Sequence, residues 1–116
     1  MEVLKMEEYV NNKTMLAVGL FDKDTKRQEI PTEQAFGIVN KCLMESVEGA
    51  TCYIGNGIYK HIDQTTVCEP NIIILLYDVD KKTINNIINK LCKLLNQECI
   101  MVETSVCSLS FSNGQD

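Results

Sequence analysis

The apolar positions of this chain fall into six blocks whose spacing switches between two residues and three to four. From Lys13 to Phe21 the pattern alternates. Leu16, Val18 and Leu20 point one way, and Met15, Ala17, Gly19 and Phe21 point the other. Both sets are apolar, which predicts a strand covered on both faces. The run Asn71-Ile72-Ile73-Ile74-Leu75-Leu76-Tyr77 lies between Pro70 and the acidic turn Asp78-Val79-Asp80. A strand sends successive side chains to opposite faces, so a run apolar at nearly every position also needs cover above and below.

Two other blocks repeat at helical spacing. Pro31-Thr32-Glu33 opens the first, with proline and an early acid where helix starts favour them. Phe36, Val39, Leu43 and Val47 form its stripe, flanked by Ala35, Ile38 and Cys42. Asp80 is the expected cap of the second. Ile84, Ile87, Ile88, Leu91, Cys92 and Leu95 form its apolar side, and Lys81, Lys82, Asn86, Asn89, Lys90 and Lys93 its wet side. Between the helices, residues 50–60 read as a strand interrupted at Gly55-Asn56-Gly57, where glycines mark a bulge, a turn or a close backbone approach. Residues 66–79 read as the third strand, with Pro70 expected at a sheet edge or bulge, and residues 99–111 as the last.

The order strand, helix, strand, strand, helix, strand predicts an α+β fold. It is the ferredoxin-like βαββαβ sandwich, a four-stranded antiparallel sheet with two helices on one face. Residues 1–12 are read as an N-terminal arm or extra element, 13–111 as a single domain and 112–116 as a tail. The second sheet face has no cover from the chain's own helices. Its simplest partner is a second copy, so a homodimer or higher assembly through the open sheet face is expected.

Composition narrows the function. The chain has 116 residues and a formal net charge of -5, with an isoelectric point near 4.8. That argues against duplex DNA or RNA and against an anionic membrane, while a local cluster of cations would still take a small anion. Acids stand where a signal peptide would be apolar, and no apolar stretch nears the ~20 residues of a membrane span. A cytoplasmic protein with reduced cysteines is expected. The six cysteines, Cys42, Cys52, Cys68, Cys92, Cys99 and Cys107, show no paired metal or redox spacing and read as small buried hydrophobes. No metal and no cofactor is expected. Asp22-x-Asp24 begins like a calcium loop, but the glycine and closing glutamate of that loop are missing.

Two segments carry candidate chemistry. Lys23, Lys26 and Arg27 share the loop after the first strand, and Arg27 could grip a phosphate bidentately. Against this stands a solvated loop. Tyr59, Lys60 and His61 follow the glycine pair and could stack a base, meet a phosphate and donate a hydrogen bond. Against this stands an exposed hairpin end. Glu69 and Glu103 are strand carboxylates that could approach across the sheet for acid–base work. No nucleophile or acid–base pair is spelled out.

The segments Val18-Gly19-Leu20-Phe21-Asp22-Lys23-Asp24-Thr25-Lys26, Glu33-Gln34-Ala35, Glu48-Gly49-Ala50-Thr51, Gly57-Ile58-Tyr59 and Leu95-Asn96-Gln97-Glu98-Cys99 resemble short proteins of phages, prophages and plasmids of low-GC bacteria. In size and setting the chain is similar to the Thoeris anti-defence proteins of phages. The resemblance implies a non-enzymatic sponge in an infected or lysogenic bacterium. It would sequester a small anionic nucleotide signal, such as a cyclic ADP-ribose isomer, with Lys23, Lys26, Arg27, Tyr59, Lys60 and His61 as ligand-binding residues. The rival readings are a protein inhibitor of a host defence protein and a small ferredoxin-like oligomeric enzyme.

Overall fold

A computed structural model describes residues 9–114. Its elements are β1 (Tyr9–Gly19), α1 (Thr32–Ser46), β2 (Thr51–Lys60), β3 (Thr66–Tyr77), α2 (Lys81–Leu94) and β4 (Met101–Leu109). The strands form one antiparallel sheet in the order β2-β3-β1-β4. This is the ferredoxin-like arrangement that the block order predicts. The expected arm over residues 1–12 falls mostly outside the described residues. Its last part, from Tyr9, is strand and pairs with β4, Tyr9 opposite Leu109.

Alternation divides the sheet cleanly. Leu16 and Val18 of β1 and Ile72, Ile74 and Leu76 of β3 face the helices and are fully buried. They meet Ala35, Val39, Cys42 and Leu43 of α1 and Ile84, Ile87 and Leu91 of α2. Asp80 caps α2 as its position implies: its carboxylate accepts from the Thr83 N–H at 3.0 Å and the Thr83 hydroxyl at 2.7 Å. Those bonds hold the Asp80 carboxyl below its ordinary range, the hydroxyl contributing most. A helix start at Pro31 has no such side-chain cap.

The twelve residues of β3 span about 40 Å, whereas the fifteen of α1 span about 22 Å. The sheet therefore outruns its helices. Ile58 and Val106, which share the helix-side face, are consequently exposed.

One expectation about the strands changes. The strand containing Gly55-Asn56-Gly57 is not interrupted, because residues 51–60 pair one-for-one with β3 and no bulge forms. Pro70 does lie at a local sheet edge, because there β3 has run past β1 and pairs with β2 alone. The β1 ladder ends at Gly19 opposite Asn71, one residue short of the proline, so the missing N–H removes nothing from that ladder. The six cysteines are free thiols, but only Cys42 is buried, and Cys68 and Cys99 are exposed.

Candidate functional site on the open sheet face

The face away from the helices carries Met15, Ala17 and Gly19 of β1, and Glu69, Asn71, Ile73 and Leu75 of β3. Tyr53, Gly55, Gly57 and Tyr59 of β2 and Met101 and Glu103 of β4 complete it. At the end near the β2–β3 turn it opens into a cavity of about 620 Å³. Ala17, Gly19, Val67 and Glu69 form its floor, and Phe21, Tyr59 and Met101 add aromatic and thioether surface.

Two loops build one wall. Asp22 organises the first: its carboxylate accepts from the N–H groups of Asp24 and Thr25 at 2.8 and 3.1 Å, and its carbonyl accepts from the Lys26 N–H at 2.9 Å. Asn96, from the turn after α2, donates from its amide to Asp22 and Asp24, both at 2.9 Å. The Lys23 N–H donates back to the Asn96 carbonyl at 3.0 Å. Lys26 and Asn96 both adopt left-handed backbone, with φ of 63° and 48°. The bond from Asn96, then those from Thr25 and Asp24, hold the Asp22 carboxyl below its ordinary range. Beside them the buried Gln97 amide donates to the Phe21 carbonyl at 2.8 Å. Asn96 and Gln97 carry no sequence signal for these roles, because nothing local marks a bond across more than seventy positions.

Of the six residues proposed from sequence, the fold brings Lys23, Lys26, Tyr59 and His61 to this cavity. Arg27 and Lys60 are not among its lining residues. Arg27 pairs with Glu29 at 2.6 Å, a local exposed ion pair. Lys60 follows Tyr59 in the strand and so belongs to the opposite face. Glu69 and Glu103 do not meet. Glu103 lies opposite Met15, level with Leu75, with β1 between it and β3 and about 20 Å of strand separating the two levels.

Glu69 is the carboxylate on the cavity floor. Its Oε2 accepts from the Phe21 N–H at 2.8 Å, and the carboxylate lies over Gly19, where a Cβ would approach it to 2.6 Å. The cavity lining holds three carboxylates, Asp22, Glu69 and Glu98, against Lys23, Lys26 and His61. Such a lining favours a ligand with positive charge at its centre over a polyanion. Among the described residues no group of three or more histidines, cysteines or acids could hold a metal ion. No helix there is long and apolar enough to cross a membrane.

No protein-family model matches the chain, and no curated protein matches it. Several solved structures share its fold, two of them phage SAM lyases. A phage SAM lyase in complex with S-methyl-5'-thioadenosine superposes with a TM-score of 0.53 at 17% identity, covering 99% of this chain and 98% of that one. A phage SAM lyase in the apo state gives a TM-score of 0.53 at 17% identity, over 92% and 94% of the two chains. These neighbours share the fold end to end and are lyases. They overturn the expectation of a non-enzymatic protein, which rested on the resemblance to anti-defence sponges and on the lack of a legible catalytic motif. On a site assembled from four strands and two loops, that lack carries no weight.

Proposed function

We propose that this chain is an enzyme of phage type that takes S-adenosylmethionine into the open-face cavity and releases S-methyl-5'-thioadenosine. The observation that carries the reading is the cavity's mixture of aromatic and thioether surface with a carboxylate floor, on a fold shared along its whole length with phage SAM lyases. Tyr59 and Phe21 offer faces on which an adenine could stack. Glu69 offers a negative charge for the sulfonium, with its geometry held by the Phe21 N–H. Lys23 and Lys26 lie at the rim, where a substrate carboxylate would find them.

Release of the thioether breaks the bond between sulfur and the methionine-derived Cγ, with the electron pair going to sulfur, while an oxygen of the substrate's own carboxylate bonds to Cγ and closes a homoserine lactone, so that no water or other reactant is consumed. The charge on sulfur disappears in the transition state, so a carboxylate serves mainly to seat and orient the substrate. Consumption of a host metabolite would serve phage anti-defence as directly as sequestration of a signal would. The apolar rows of the same face, with Tyr53, Ile73, Leu75, Met15 and Ala17, support self-association, and a second copy would roof the cavity.

Incubation of the purified protein with S-adenosylmethionine, followed by chromatography, tests the reading. Stoichiometric S-methyl-5'-thioadenosine is expected from the parent, and at least a hundredfold less from Glu69→Gln at unchanged melting temperature. Intact substrate after prolonged incubation at micromolar enzyme would reject it.

A further inference from the structure

Asn71 sits on the open face of β3, two residues from Glu69, level with Gly19 on β1 and Gly55 on β2. Its carboxamide takes no part in any hydrogen bond among the described residues. The oxygen is buried and without a donor, tucked against Gly55. The other buried side-chain oxygen in this state belongs to Asn11, whose own amide still donates to Asp78. Asn71 is therefore unbonded at both ends of its carboxamide. A buried acceptor left without a donor is unfavourable, and a bound ligand is one way to supply the missing partner.

The glycines around it explain the posture. A side chain at Gly55 would collide with the Asn71 carboxamide, one at Gly19 would strike Glu69, and one at Gly57 would come within 2.8 Å of the Tyr59 hydroxyl. Glycine weakens a strand interior, yet three of them flank two consecutive open-face residues of β3. Their shared effect is to let three polar ends lie down on the sheet beside one another. The result is a flat polar floor continuing from the cavity toward the middle of the face.

We infer that Asn71 is a ligand-binding residue: its carboxamide turns up from Gly55 and its oxygen accepts a hydrogen bond from the α-ammonium at the amino-acid end of the sulfonium substrate, beside the Glu69 carboxylate that also faces the sulfonium. The inference rests on the proposed reaction and deepens it. An ammonium group carries three N–H donors and a positive charge, which suits one carboxylate and one carboxamide oxygen along a single strand. The aromatic surface at Phe21 and Tyr59 is then left for the adenosine. S-Methyl-5'-thioadenosine lacks the amino-acid end, so it cannot make this contact.

The difference between the two molecules is the test. For the parent, Asn71→Ala, Asn71→Asp and Gly55→Ala, kcat/KM is measured with S-adenosylmethionine and the dissociation constant with S-methyl-5'-thioadenosine. Asn71→Ala should lower kcat/KM about tenfold or more, the value of one charged hydrogen bond, and leave thioadenosine binding within twofold. Gly55→Ala should do the same by displacing the carboxamide, and Asn71→Asp, which keeps an acceptor, should lose less than Asn71→Ala. A merely structural role would weaken both molecules together, and that result overturns the inference, as does a parent-like kcat/KM in Asn71→Ala. A parent that cleaves no S-adenosylmethionine at all defeats the proposed reaction itself, and the inference with it.

Discussion

Ile73 and Ile74 are neighbours on β3 and identical in chemistry, yet Ile74 is buried completely under the helices and Ile73 is only partly buried on the open face. The same contrast runs along β1, where Leu16 and Val18 are buried while Met15 and Ala17 are only partly so. Under the helices the sheet is a packed layer of aliphatic side chains, with Thr14 buried among them. The open face mixes apolar rows with a carboxylate, an unbonded carboxamide and glycines. Stability belongs to the first face and chemistry to the second.

Substitutions at the neighbouring pair separate the two faces most sharply. Ile74→Asp places a carboxylate in the core and should destabilise the fold by about 4 kcal/mol or more, leaving little cooperative melting. Even Ile74→Ala should lose about 2–5 kcal/mol, read from denaturant unfolding. Ile73→Asp should keep a folded protein with a melting temperature close to the parent's. Its effect should appear in light scattering, as a monomer where the parent gives a dimer or larger particle. If Ile73→Asp leaves the particle mass unchanged, association does not use this face.

Acid provides a milder comparison. Asp22 on the cavity wall and Asp80 at the start of α2 both have folded-state pKa values below their ordinary 3.8. A depressed carboxyl contributes stability that is complete above its unfolded value and disappears as pH falls through the folded value. Stability should therefore be flat from about pH 7 to pH 5 and decline below about pH 4. Asp80→Ala should lower the melting temperature by on the order of 5 °C at neutral pH and less in acid, through loss of the cap. Asp22→Asn should act mainly on the loop, raising KM with a smaller change in melting temperature, since the bonds it loses order only the wall of the cavity.

The same contrast explains what could be read from the chain. Core positions such as Val39, Leu91 and Ile72 declare themselves through spacing, because a buried face repeats with the period of its element. Asp80 declares its cap through position alone. Lys23 and Lys26 are legible as cations in one loop and Tyr59 and His61 as a pair at a hairpin end, but their meeting at one cavity depends on how β1 and the β2–β3 hairpin end at the same edge of the fold. Glu69 stood out only as an acid in an apolar strand. Asn71 gave no signal, because its environment consists of glycines on two other strands. Gly55 and Gly57 were legible as a close approach, though what approaches them is a side chain of the adjoining strand and one of their own. The enzymatic reading had no sequence signal for a similar reason: a site whose residues come from separate strands leaves no local motif.

The central claim is that the ligand lies on the open face, over the glycine-flanked floor. Amide resonances of glycines are well separated in a ¹H–¹⁵N correlation spectrum, and they sample both sides of this molecule. Titration with S-methyl-5'-thioadenosine should shift Gly19 and Gly57, with Gly55 at the margin, while Gly37 in α1 and Gly49 after it stay fixed. Shifts confined to Gly37 and Gly49, or a spectrum unchanged at millimolar ligand, would contradict the account.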